Sequence, residues 1–88
     1  MTHEESARNA QETVDALGLL CPLPIVRTAR ALNRRPAGTI VELLADDPGI
    51  VEDLPAWCGA MGHELLGMTE AEGVWRCRVR KGTETNRG

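Results

Sequence analysis

The chain has 88 residues and thirteen acidic against ten basic side chains, for a net charge of −3 at pH 7 and a pI near 5.3. That leaves room for one small domain and gives no general attraction to nucleic acid or an anionic membrane surface. Trp57 and Trp75 are the only aromatic residues, so the core must be aliphatic and base-stacking platforms are nearly absent. No apolar run approaches the length of a bilayer span, and Glu4 and Glu5 stand where a signal peptide needs a positive and then an apolar region, so the chain reads as cytoplasmic.

Residues 1–11 are polar and are expected to form a disordered tail, as are residues 83–88, with a single domain over residues 12–82 between them. Thr13 to Leu17 reads as a short strand that ends in a turn at Gly18. From Pro22 to about Arg34, Ile25, Ala29 and Leu32 recur at helical spacing with Val26 alongside, while Arg27, Arg30 and Arg34 line another face. Pro36 and Gly38 end that helix. Thr39 to Ala45 is mostly apolar and broken only by Glu42, the pattern of an interior strand.

Asp46 and Asp47 before Pro48 give an N-cap signal for a helix over Gly49 to about Gly62. Pro55 is expected to divide it into a first turn ending near Glu52 and a main helix restarting with Asp53 as its cap. His63 to Thr69 and Val74 to Arg80 read as a strand pair joined by a loop over Glu70–Gly73. In the last strand Trp75, Cys77 and Val79 alternate with Arg76, Arg78 and Arg80, so one face is core and the other is wet. That strand is expected to be an edge whose arginines discourage pairing, and the protein a monomer. Two helices can cover one face of four strands, which predicts a two-layer α/β sandwich of order β-α-β-α-β-β with a mixed sheet.

The chemistry concentrates at Leu20-Cys21-Pro22-Leu23-Pro24, where a strand hands over to a helix. Pro22 suits the first helical position, which puts Cys21 at the N-cap, and with Pro24 lacking an N–H the Leu23 amide is the expected donor to the sulfur. A helix N-terminus lowers a thiol pKa below its free value of about 8.5, so Cys21 is a candidate thiolate. The two prolines stiffen its presentation. Three widely spaced cysteines with no C-x-x-C argue against a disulfide scaffold, and Cys58 and Cys77 fall on apolar faces as packing residues. Pro24 stands where a thioredoxin-type centre needs its second cysteine. Cys21, Cys58, Cys77 and His63 lack paired ligand spacing, so no metal and no cofactor is expected. His63 reads as structural or exposed, and Asp46 and Asp47 as a helix cap ahead of a paired carboxylate site.

Ala16-Leu17-Gly18-Leu19-Leu20-Cys21-Pro22-Leu23-Pro24, then Ala45-Asp46-Asp47-Pro48, Asp53-Leu54-Pro55 and Gly62-His63-Glu64-Leu65, resemble in order the landmarks of the TusA/SirA family of small sulfur-carrier proteins. The resemblance runs from about Thr13 to Gly82. It implies a two-layer α/β sandwich in which Cys21, the cysteine of C-P-x-P, carries sulfane sulfur as a persulfide. It further implies a cysteine desulfurase or rhodanese-like donor and a downstream acceptor protein, in tRNA thiolation, molybdenum cofactor synthesis or sulfur oxidation. Leu20 and Leu23 stand where the best-known tRNA-relay members carry a basic and an acidic residue, which leaves donor and acceptor open. From the residues alone, a carrier needs an exposed thiolate and no nearby resolving thiol, and the Cys21 corner fits both. Arg27, Arg30 and Arg34 share its helix and could dock an acidic partner surface. The alternatives are a redox-sensitive interaction or regulatory module and, opposed by the acidic pI and missing aromatics, an RNA-binding module.

Overall fold

The computed structural model describes residues 10–82. Its elements are β1 (Glu12–Ala16), α1 (Leu23–Asn33), β2 (Ile40–Ala45), α2 (Ile50–Met61), β3 (Glu64–Ala71) and β4 (Val74–Arg80). The sheet runs β1-β2-β4-β3, with β1 parallel to β2 and the other pairs antiparallel. α1 packs on β1 and β2, α2 packs on β3, and the helices touch each other, so both lie on one face. This is the two-layer α/β sandwich with a mixed four-stranded sheet read from the sequence. The expected tail over 83–88 lies outside the described residues, as does most of the one over 1–11. Gln11 is described, and it exchanges hydrogen bonds with Ile40 at the sheet edge.

The last strand is not an edge. β4 sits between β2 and β3, and the edges are β1 and β3. Its arginines serve the open sheet face, where Arg76 pairs with Glu42 at 3.5 Å and Arg80 with Glu64 at 3.0 Å. Alternation on β4 and β2 sends Cys77, Val79, Val41, Leu43 and Ala45 inward to meet Leu32 of α1 and Leu54 of α2.

On α1 the buried stripe is Ile25, Thr28, Ala31 and Leu32, whereas Val26 is exposed and Ala29 half-buried. The expected Ile25-Ala29-Leu32 stripe is rotated because a polar residue takes a core position. Thr28 is fully buried, with Oγ1 donating to the Pro24 carbonyl at 2.9 Å, so its hydroxyl is satisfied within its own turn.

α2 is continuous through Pro55, against the expected break near Glu52. Proline removes one backbone bond, that to the carbonyl four residues earlier. Here that carbonyl belongs to Val51, and both residues lie on the exposed side, where water can take the lost donor's place. The buried face, Ile50, Leu54 and Cys58, is untouched. Gly62 ends the helix in the left-handed region at φ 78°, letting the His63 N–H return to the Cys58 carbonyl at 2.9 Å. The β3–β4 connection is also tighter than expected. Ala71 and Val74 are already paired, leaving a two-residue turn at Glu72 (φ 53°) and Gly73 (φ 82°), both left-handed as a type I′ turn requires.

Cys58 and Cys77 lie in the core, as their spacing indicated. Burial pushes both thiols up to about 11 from an ordinary 9.0, with Cys58 and Glu42 adding to the effect at Cys77. The folded chain therefore holds these protons more tightly than the unfolded chain does. Stability should be intact below pH 9 and fall as pH rises toward 11, on the order of 2 kcal/mol for each thiol. Urea titrations between pH 8 and 11 check this: a Cys58→Ala/Cys77→Ala chain should lose less stability over that range than the wild type.

Candidate functional site

Ala16 and Ala45 are partners in the parallel β1–β2 pair, so the two strands run out together and the loops that follow, 17–22 and 46–49, emerge side by side. The second loop grips the first. Both carboxylate oxygens of Asp46 accept the Gly18 N–H, at 3.0 and 3.1 Å. Asp47 Oδ2 accepts the Cys21 N–H at 2.6 Å, and its Oδ1 accepts the Gly49 N–H at 3.3 Å. The N-cap of α2 is Gly49, with no side-chain cap bond. The aspartates expected to cap that helix are instead acceptors that fasten the cysteine loop.

Cys21 is half-buried at the strand-to-helix corner and packs against the edge of the core. Its peptide bond to Pro22 is cis. The N-cap of α1 is Pro22, and the helix begins at Leu23 with Pro24 in its first turn. Cys21 thus lies one residue outside the expected cap. The Leu23 N–H donates to the Leu20 carbonyl at 2.9 Å, closing the turn on itself, so it is not the expected donor to the sulfur.

The charge state differs as well. The Cys21 thiol is pushed up to about 11, first by loss of hydration, then by the negatively charged Asp47 and after it Asp53, which disfavour a thiolate. Asp47 in turn is held below the usual carboxylate value, chiefly by the Cys21 and Gly49 N–H groups. A helix end offers about half a positive charge. Loss of hydration, with a full negative charge beside the sulfur added to it, outweighs that.

The space beside the sulfur is kept by Gly49. A side chain started there would place its Cβ 3.5 Å from Cys21 Sγ and 3.7 Å from Asp47 Oδ2. Leu20 and Leu23, on either side of Cys21 in the chain, are 72% and 49% exposed and give the corner an apolar rim.

Arg27, Arg30 and Arg34 come together with Glu12 and Asp15 along a cleft of about 250 Å³ between α1 and β1. Arg34 is engaged there by Glu12 at 3.0 Å, and Arg35 by the same carboxylate at 3.2 Å. Arg27 and Arg30 have no carboxylate partner among the described residues. His63 is structural: Nδ1 accepts the Gly82 N–H at 3.0 Å and the ring stacks at a tilt on Trp57, 5.1 Å away. Among the described residues no three His, Cys, Asp or Glu side chains converge as metal ligands.

Asp47, Asp53 and Gly49 are the site residues that motif reading passed over. The usable signal was topological, because loops that follow adjacent parallel strands must meet.

The profile of the family described as Sulfurtransferase TusA matches residues 12–81. The Bacillus subtilis (strain 168) protein YrkI, named as a candidate sulfur carrier, is 41% identical over 73 residues, covering 83% of this chain and 97% of YrkI. YrkF of the same organism, named in the same terms, is 49% identical over 72 residues, which are 81% of this chain but only 38% of YrkF. Among solved structures, a SirA-like protein from Desulfitobacterium hafniense superposes with a TM-score of 0.72 at 31% identity, covering 82% of this chain and 99% of that one. With the family profile spanning nearly all the described residues and the same fold in a SirA-like protein, the chain belongs to the TusA sulfurtransferase family.

Proposed function

We infer that the protein is a sulfur carrier that takes sulfane sulfur on Cys21 and relays it to an acceptor protein. The observation that carries this reading is the contrast among three thiols: Cys58 and Cys77 are sealed in the core, while Cys21 stands part-exposed on a loop fastened by Asp46 and Asp47. In the forward step the Cys21 thiolate attacks the terminal sulfur of a donor cysteine persulfide. A bond forms between Cys21 Sγ and that sulfur, the donor's own S–S bond breaks, and the electron pair leaves on the donor thiolate. An acceptor thiolate then attacks the outer sulfur of the Cys21 persulfide and releases the Cys21 thiolate, so no oxidant or reductant is consumed. With no second exposed thiol in the described chain, nothing internal discharges the persulfide as a disulfide.

The donor fits a cysteine desulfurase or a rhodanese-like protein, and the acceptor lies toward tRNA thiolation, molybdenum cofactor synthesis or sulfur oxidation. Arg27 and Arg30, without a carboxylate partner among the described residues and on the helix that begins at the site, suit an acidic patch on such a partner. The test is incubation with a cysteine desulfurase and cysteine, followed by intact mass and peptide mapping. One added sulfur atom on the Cys21 peptide, lost on reduction, is expected. No added sulfur with either a desulfurase or a rhodanese-like donor would sink the reading.

A further inference from the structure

The loop that fastens Cys21 also sets a negative charge against its sulfur. Asp47 cannot swing away freely, because Oδ2 holds the Cys21 N–H and Oδ1 the Gly49 N–H. Cys21 Sγ and Asp47 Oδ2 both border the open position beside Gly49, 3.5 and 3.7 Å from where a Cβ there would stand. Asp53, exposed in the first turn of α2, acts on the same sulfur, and among the described residues neither carboxylate is in an ion pair. This is the reverse of the electropositive setting in which reactive cysteines are found.

We propose that Asp47 and Asp53 form a charge gate, holding Cys21 as an unreactive thiol at rest and receiving a lysine or arginine that the sulfur-exchanging partner presents beside its own reactive sulfur. The partner half of this inference rests on the carrier reading; the gate is a property of this chain. When the cation settles against the carboxylates, the thiol proton passes to solvent and the thiolate is then free to attack. An opposite charge within about 6 Å shifts such a group by 1–3 pKa units. The apolar rim of Leu20 and Leu23 excludes water as the partner seats, which strengthens that attraction. A small disulfide or a protein without the cation meets a protonated sulfur. Asp47 and Asp53 are thus positioning residues that select the partner by charge, and they do not touch the sulfur being transferred.

Asparagine at position 47 keeps an oxygen for the Cys21 N–H and removes the charge. The rate of Cys21 alkylation by iodoacetamide, followed by peptide mass between pH 6 and 11, should have its midpoint lowered by about one unit in Asp47→Asn, or about tenfold faster labelling at pH 8. Asp53→Asn, which removes no hydrogen bond from the described fold, should shift the midpoint the same way by less. A purely structural role for either residue moves no midpoint. At low salt the ratio of the exchange rate of cationic cystamine to that of neutral 2-hydroxyethyl disulfide, which already includes the more acidic leaving thiol of cystamine, should be several-fold larger for wild-type Cys21 than for the Asp47→Asn/Asp53→Asn chain. Profiles superimposed on wild type, or a cystamine preference equal in the two chains, overturn the gate. If sulfur loads from a desulfurase while the profiles superimpose, the gate falls and the carrier stands. If the midpoints shift but neither a desulfurase nor a rhodanese-like donor loads Cys21, the carrier reading falls, and with it the partner half of this inference.

Discussion

A Cys21→Ser chain is expected to fold, to bind a sulfur donor and to gain no sulfur. The substitution changes one atom at a site whose structural bonds run through the backbone: the N–H that Asp47 accepts and the turn closed by Leu23 N–H on Leu20 O do not depend on the side chain. Stability should therefore stay within about 0.5 kcal/mol of wild type. Loading should be lost outright, because a serine hydroxyl is no nucleophile toward sulfane sulfur at neutral pH. The complementary Cys58→Ala/Cys77→Ala chain should load normally below its lower melting point, since both thiols are sealed from any partner. A redox-sensitive interaction module predicts otherwise: cellular function would survive Cys21→Ser. Loading by mass, donor affinity by calorimetry and genetic complementation together separate the two.

Leu43→Ala should be the most damaging conservative change to the fold. Leu43 is fully buried at the middle of β2, paired with Val14 on one side and Cys77 on the other, beneath the helical layer. Removing three carbons there leaves a cavity bounded by two strands that cannot collapse inward, at a cost of about 2–5 kcal/mol. A domain of this size has little to spare, since total stabilities run at about 5–15 kcal/mol and small domains sit at the low end. The melting temperature should drop by roughly 10 °C or more. Leu20→Ala, at an exposed position, is the control and should melt with wild type to within about 0.5 kcal/mol. A loss below about 1 kcal/mol at Leu43 would mean that the strand pair closes over the gap.

The order of elements was legible because each leaves a local trace. Strict alternation through Trp75, Cys77 and Val79 identified β4 and its buried face, and the apolar run before Asp46 identified β2 as interior. Where local rules compete with tertiary packing they failed. Pro55 should break a helix on intrinsic grounds, yet the carbonyl it orphans faces water and the core side of α2 is unaffected. Thr28 reads as polar, yet its hydroxyl is consumed by its own helical turn. At the site, Cys21, Pro22 and Pro24 announced the corner. The charge around the sulfur did not show, because Asp47 is 26 residues from Cys21 in the chain. Neighbours in the chain show only the helix end, which favours a thiolate, and neither the burial nor the carboxylate that opposes it.

The parallel pairing of Ala16 with Ala45 makes this corner a matter of counting as much as of composition. Each strand residue advances the chain by about 3.3 Å and turns its side chain to the opposite side. Deleting a single residue from β2 while its pairing holds would draw Asp47 back by that length and reverse it, farther than any hydrogen bond can stretch to reach the Cys21 N–H. The spans from Ala16 to Cys21 and from Ala45 to Asp47 are therefore gauges set against each other, and relatives can exchange many side chains along them more readily than they can gain or lose one residue.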